Sequence, residues 1–328
     1  MTDADVRSAL YLPAREIPVP ESVSAQARAV LALGRIAPEP QWPALDDPDA
    51  WRSLIAELDD AALRMASGPG ATAEVEQIAV GRARVFAITP DGIAPEDRRV
   101  YLEIHGGGFV QGGGELCRVR GIANAYRVGV RSWSVDYRMP PDHPFPAALD
   151  DCLAAYRALL AQRGPHEIVI GGVSAGANLA AATVLRARDE GLPMPAGVVL
   201  ATPPSDLSGS GDTWQTNLGL DNLLGSSTPL RLYAAGHDPR DPYLSPVYAD
   251  FSEGFPPTIL LSGTRDVLLS DTVRLHRALR AADIHADLHV WEAAGHGGFL
   301  GRAPEDDERT REIRRFLATC WNTSPHRS

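Results

Sequence analysis

From Val75 onward, short β-branched and apolar runs alternate with longer stretches of helical spacing, and no other feature limits the fold as much. Residues 75–88 read as two strands about Gly81, and further strands are expected at 100–104, 130–135, 168–173, 197–201, 258–262 and 287–291. Helical stretches fall near 118–128, 146–162, 176–190, 270–282 and 305–320. Strand followed by helix, repeated this often, predicts an α/β domain with a mostly parallel sheet covered on both faces. Residues 1–72 lack strand patterning and offer two helical stretches, 22–34 and 48–66, on either side of a Pro-rich segment at 38–43. In the second, Trp51, Leu54, Ile55, Leu58, Ala62 and Met65 recur at helical spacing. A two-helix piece this short cannot bury its own apolar face, so it is expected to pack on the main domain as a cap. The chain therefore divides into a segment at 1–72 and a domain at 73–328. Residues 203–256 interrupt the alternation with a Pro/Gly/Ser-rich stretch holding Trp214, and an insertion there is expected above the strand ends.

One strand-to-helix junction carries chemistry. The run Ile168-Val169-Ile170-Gly171-Gly172-Val173-Ser174-Ala175-Gly176 reads as a buried strand, a sharp turn and a helix start, with Ser174 at the bend. Gly172 and Gly176 stand where a Cβ would clash, and the turn pushes the serine hydroxyl out over the sheet's end. The following helix aims its positive end and the N–H of Ala175 at the same place, where an oxyanion would be stabilised. Upstream, the strand at 100–104 runs into His105-Gly106-Gly107-Gly108-Phe109, whose glycines leave backbone N–H groups unshielded. Such a loop supplies the second half of an oxyanion hole, although the glycines alone read equally well as a flexible turn. His105 is expected to hold this loop by a side-chain hydrogen bond.

A serine nucleophile needs a base, and the base needs a carboxylate to orient it. Asp266 follows the apolar run 258–262 in a loop, and His296 lies in the Gly-flanked loop Ala294-Gly295-His296-Gly297-Gly298, one helix and one strand later. Both stand where such partners are expected. His276, His285 and His289 fall in or beside a helix or strand and read as structural, and the rivals His237 and Asp238 follow no core strand. No His-x-x-x-His pair or acidic cluster has metal-ligand spacing, and Asp150-Asp151 reads as the start or polar face of a helix.

Composition removes several alternatives. All 31 basic residues are arginine, which excludes a Ser-Lys dyad, Schiff-base chemistry and a lysine-dependent phosphate loop. A net charge of -11 argues against nucleic acid and anionic membrane as partners. Cys117, Cys152 and Cys320 form no Cys-x-x-Cys pair and read as buried thiols. The polar, acidic start resembles no signal peptide and no apolar run reaches membrane-spanning length, so a cytoplasmic location is expected.

Taken together, His105 to Phe109, the run 136–148 (Asp136-Tyr137-Arg138 through Pro146-Ala147-Ala148), the Ser174 elbow, Asp206-Leu207-Ser208-Gly209-Ser210-Gly211, Asp241-Pro242-Tyr243-Leu244-Ser245-Pro246 and the Asp266 and His296 loops resemble the hormone-sensitive-lipase family of α/β-hydrolases. The resemblance spans about 75–300 and implies an eight-stranded α/β-hydrolase fold with an amino-terminal helical cap. It implies carboxylester hydrolysis without a cofactor, with Ser174, Asp266 and His296 as triad and Gly107, Gly108 and Ala175 as oxyanion donors. The chain departs from the common elbow Gly-Asp-Ser-Ala-Gly-Gly at Val173 and Ala177, and neither change touches the mechanism. Gly-Val-Ser-Ala-Gly with Gly-Thr-Arg-Asp looks closer to bacterial members acting on small esters and lactones. Phe109, Trp42 and Trp214 are candidates for the pocket wall, Trp214 equally as an ordinary packing residue. A dehydratase, an acyltransferase and a non-catalytic small-molecule receptor remain the alternatives, and a homodimer is left open.

Overall fold

The computed structural model describes residues 9, 12–35, 38–66 and 73–322. Its strands are β1 (Ala73–Val80), β2 (Ala83–Pro90), β3 (Val100–Ile104), β4 (Arg131–Asp136), β5 (Ile168–Val173), β6 (Gly197–Ala201), β7 (Thr258–Gly263) and β8 (Ala286–Trp291). They form one 8-stranded sheet in the order β1-β2-β4-β3-β5-β6-β7-β8, antiparallel from β1 to β4 and parallel from there on. Neighbouring residues of one strand point to opposite faces, and in the central strands both faces are largely buried. Leu102, Ile104 and Ile170 pack with Leu149, Leu179 and Leu275, whereas Tyr101, Val169, Val199 and Ile259 meet Phe316 and Leu317. That is why β5, β6 and β7 read as apolar runs rather than alternating ones.

The first face is covered by α4 (Ala147–Leu160), α5 (Ala175–Asp189) and α8 (Leu269–Ala281), the second by α3 (Glu115–Val128) and α9 (Pro304–Asn322). Asp150 and Asp151 do fall in the first turns of α4, but Asp151 is buried rather than on a polar face. Its carboxylate takes the Arg138 guanidinium at 2.8 Å and the Arg138 N–H at 2.9 Å. A buried charge is tolerable only when paired in this way. All three cysteines are buried and none forms a disulfide.

The amino-terminal stretches form α1 (Ala25–Ala32) and α2 (Pro48–Ala66). The first is shorter than its sequence span because the Ser24 hydroxyl accepts from the Ala27 N–H and so caps it there. Both helices pack on the sheet domain at its functional end. Ala27 and Val30 of α1 meet Ala293, Ala294 and Phe299, and Ser24 binds Glu305 through its N–H and hydroxyl at 2.7 and 2.8 Å. Trp51 of α2 is fully buried against Val110 and Leu232, and Asp59 Oδ1 accepts from the Gly112 N–H at 3.0 Å. Between β6 and β7 the insertion holds α6 (Thr213–Thr216) and α7 (Thr228–Ala234). No helix among the described residues is long and apolar enough to cross a membrane.

Candidate active site

The turn after β5 places Ser174 at φ 57°, ψ -125°, a strained conformation for a non-glycine residue. The packing around it shows why glycine flanks it. A Cβ on Gly176 would lie 1.9 Å from the Ile104 carbonyl oxygen, so α5 starts directly against the end of β3. Val173 faces the α3 side of the sheet and stays 43% exposed, so its place beside the serine is open.

The loop after β3 lies against this elbow. Gly107 has φ 128°, and a Cβ there would meet the Gln111 carbonyl oxygen at 2.2 Å, so the sharp fold of the loop requires glycine. Among the described residues, none accepts a hydrogen bond from the N–H of Gly107, Gly108 or Ala175. His105 Nδ1 contacts the Gly106 oxygen at 2.9 Å, and its ring stacks on Tyr137 at 4.1 Å. Burial holds its imidazole down to about 4, so it stays neutral at working pH.

Beyond β7 and β8, the expected acid and base meet. His296 Nδ1 lies 3.2 Å from Asp266 Oδ1, with the two residues 4% and 0% exposed. The Asp266 carboxylate also accepts from the Leu268 N–H at 2.9 Å and the Ser262 hydroxyl at 2.8 Å, which fixes its orientation. No hydrogen bond closes between Ser174 Oγ and His296 Nε2 among the described residues. Such contacts are loose in many hydrolases until substrate binds.

Ser174, His296, Gly107 and Gly108 line one cavity of about 580 Å³. Of the described histidines only His105 and His296 reach it; His237 instead contacts the Ala234 oxygen and the edge of Phe145. Trp42 and Leu58 form part of the wall from the amino-terminal segment, and Trp214, Leu223, Leu224 and Leu230 form part of it from the insertion. Phe109, expected on this wall, is not there. Its φ of 67° turns the side chain inward, where it is fully buried and stacked on Tyr233 at 4.0 Å.

Two residues of the insertion carry no signal of their own in sequence. Asn217 and Asp221 sit in irregular chain, yet they bind the backbone of the Asp266 and His296 loops. The one available hint is that three short polar side chains, Asn217, Asp221 and Asn222, interrupt the otherwise apolar run 217–224.

One cluster resembles a metal site. His105, Cys117 and Asp136 each bring a ligand atom within 4.8 Å of the others. Asp136 is already committed to the Arg84 guanidinium at 2.6 Å and the Gly114 N–H at 2.9 Å, and burial pushes the Cys117 thiol well above its usual value. With the carboxylate paired to Arg84 and the thiol held protonated, the three groups are not arranged as a ligand set.

Glu103 also lines the cavity, its carboxylate accepting from the Ser134 hydroxyl at 2.5 Å. Burial pushes it from 4.5 up to about 7. A folded carboxyl value above the unfolded one means the native state holds a proton that the unfolded chain has released, so stability falls as pH rises through that window. Glu103→Gln is expected to add about 1 to 2 kcal/mol at pH 9 and almost nothing at pH 4, after allowance for solvent in the cavity. Thermal melts of both proteins at the two pH values check this; an equal gain at each would show that ionisation of Glu103 is not the cause.

A family model described as the alpha/beta hydrolase fold matches residues 101–300. An acetyl-hydrolase of Streptomyces hygroscopicus is 34% identical over 223 residues, covering 67% of this chain and 73% of that protein. An esterase of Acinetobacter venetianus is 34% identical over 67% of this chain and 75% of its own length. Among solved structures, esterase E25 superposes with a TM-score of 0.87 at 35% identity, covering 95% of this chain and 99% of that one. An esterase described as from the bacterial hormone-sensitive lipase family superposes with a TM-score of 0.76 at 31% identity, covering 91% and 99%.

Proposed function

Because this chain belongs to the hormone-sensitive-lipase family of α/β-hydrolases and is a carboxylic ester hydrolase, we propose that it cleaves small acyl esters or lactones through an acyl-enzyme on Ser174. The observation that carries this reading is the buried contact between His296 and Asp266 beside a cavity that also holds the Ser174 elbow.

In this mechanism His296 Nε2 takes the Ser174 proton as Oγ attacks the acyl carbon. Asp266, on Nδ1, fixes the tautomer and stabilises the imidazolium that forms. The N–H groups of Gly107, Gly108 and Ala175 hold the negative oxygen of the tetrahedral intermediate. Its collapse breaks the bond to the alcohol oxygen, which leaves with the proton from Nε2. Water then attacks the Ser174 ester with His296 again as base, and the acid departs as Oγ regains its proton. No step needs a metal or an organic cofactor. For a lactone the same bonds change, with alcohol and acid remaining on one molecule.

The amino-terminal segment acts as a cap in this reading, with residues 203–256 completing the pocket. Support comes from Trp42 and Leu58 on one side of the cavity and Trp214 and Leu224 on the other. Incubation with p-nitrophenyl esters from acetate to octanoate tests the function. A burst of about one p-nitrophenol per enzyme is expected, followed by turnover that weakens as the acyl chain outgrows the cavity and is unchanged by EDTA. No hydrolysis at any chain length would sink the reading, and loss of activity in EDTA would point to a metal instead.

A further inference from the structure

Asp221 is 2% exposed, and both its carboxylate oxygens are occupied by backbone N–H groups. Oδ1 accepts from Leu223 and Leu224 at 2.9 and 3.0 Å, a local turn of the kind aspartate makes in many loops. Oδ2 does something no local turn explains. It accepts from the N–H of Val267, next to Asp266, and from the N–H of His296 itself, each at 3.1 Å. These two donors lie 46 and 75 residues further along the chain and belong to different loops.

Asn217 works on the same loops from one turn earlier, where its oxygen accepts the Asp221 N–H at 3.1 Å. Its side-chain amide donates to the Thr264 oxygen at 3.1 Å and the Asp266 oxygen at 2.8 Å. The base loop is pressed onto this turn, since a Cβ on Gly295 would meet Asn222 Oδ1 at 2.7 Å.

We propose that Asp221, with Asn217, is a positioning residue that sets His296 against Asp266 and ties both to the cavity wall at Leu223 and Leu224. The inference rests on the Ser174, His296 and Asp266 reading. One physical effect follows. Misplacement of a base by a fraction of an ångström costs turnover without weakening binding.

Asp221→Asn keeps the volume but turns an NH₂ group toward two backbone donors. Its kcat on p-nitrophenyl acetate is expected to fall about 10- to 100-fold with KM within about 3-fold. A folded Asp221→Asn enzyme with wild-type kcat, or one whose KM rises as far as its kcat falls, would show a bracing role only and overturn the proposal. Should that variant not fold, Asn217→Ser decides. It retains Asp221 and is expected to lose about 3- to 10-fold in kcat at unchanged KM; wild-type kcat there overturns the proposal as well. An inactive wild-type chain would remove the underlying reading, whereas an active wild type with unaffected variants would remove the positioning role alone.

Discussion

Ser174→Ala is expected to lower kcat on p-nitrophenyl acetate by about 10⁴- to 10⁶-fold while leaving the folded state intact. The size of the effect follows from the roles assigned around it. Without Oγ there is no acyl-enzyme, and only the oxyanion donors and the cavity remain to assist attack by water. The fold should tolerate the change, because Ser174 is held by its backbone. Its N–H donates to the Ala201 oxygen at 2.8 Å, its oxygen accepts from the Ala177 and Asn178 N–H groups, and its hydroxyl makes no hydrogen bond among the described residues. Near-normal activity in a folded Ser174→Ala protein would end the proposed mechanism.

The second large effect is expected from a chain that begins at Glu74. Deleting the segment before it removes Trp51 from its contact with Val110 and Leu232 and leaves that apolar surface open. It removes the Asp59 carboxylate from the Gly112 N–H, next to the loop that carries Gly107 and Gly108. It also removes α1 from Ala293, Ala294 and Phe299, on which the His296 loop rests. The shortened chain should therefore aggregate, or lose activity toward all but the smallest acetates. The milder Trp51→Ala is expected to cost about 3 to 5 kcal/mol of stability in denaturant titration. A soluble shortened chain that hydrolyses the whole chain-length series with unchanged kcat/KM would show that the segment is no cap.

The parts of this molecule legible in sequence are those where one residue type is physically forced. Strands β3, β5 and β6 begin and end where the sequence places them, because a strand buried on both faces is mostly apolar, Glu103 of β3 being the exception at the cavity, and a turn must follow it. The Ser174 elbow was legible because only glycine fits against Ile104, and Asp266 and His296, which the structure brings together, because each lies in a loop just past a core strand. Legibility fails where a role depends on what the loop happens to face. Phe109 directly follows the glycines of the cavity loop, but its backbone turns it into the core against Tyr233. Asp59 lies on α2 among Glu57 and Asp60 and looks like part of a solvated face until Gly112 is brought to it. Asp221 sits in irregular chain, with no periodicity to mark it as buried or to reveal that two distant loops share one of its oxygens.

Whether Ser174 carries the acyl group is tested most directly by labelling with a p-nitrophenyl alkylphosphonate, followed by proteolysis and mass spectrometry. One phosphonyl group per chain is expected, on the peptide containing Ser174, with activity lost in proportion and no label on the Ser174→Ala protein. Complete inactivation with the adduct on any other residue, or full activity after stoichiometric labelling of Ser174, would contradict it.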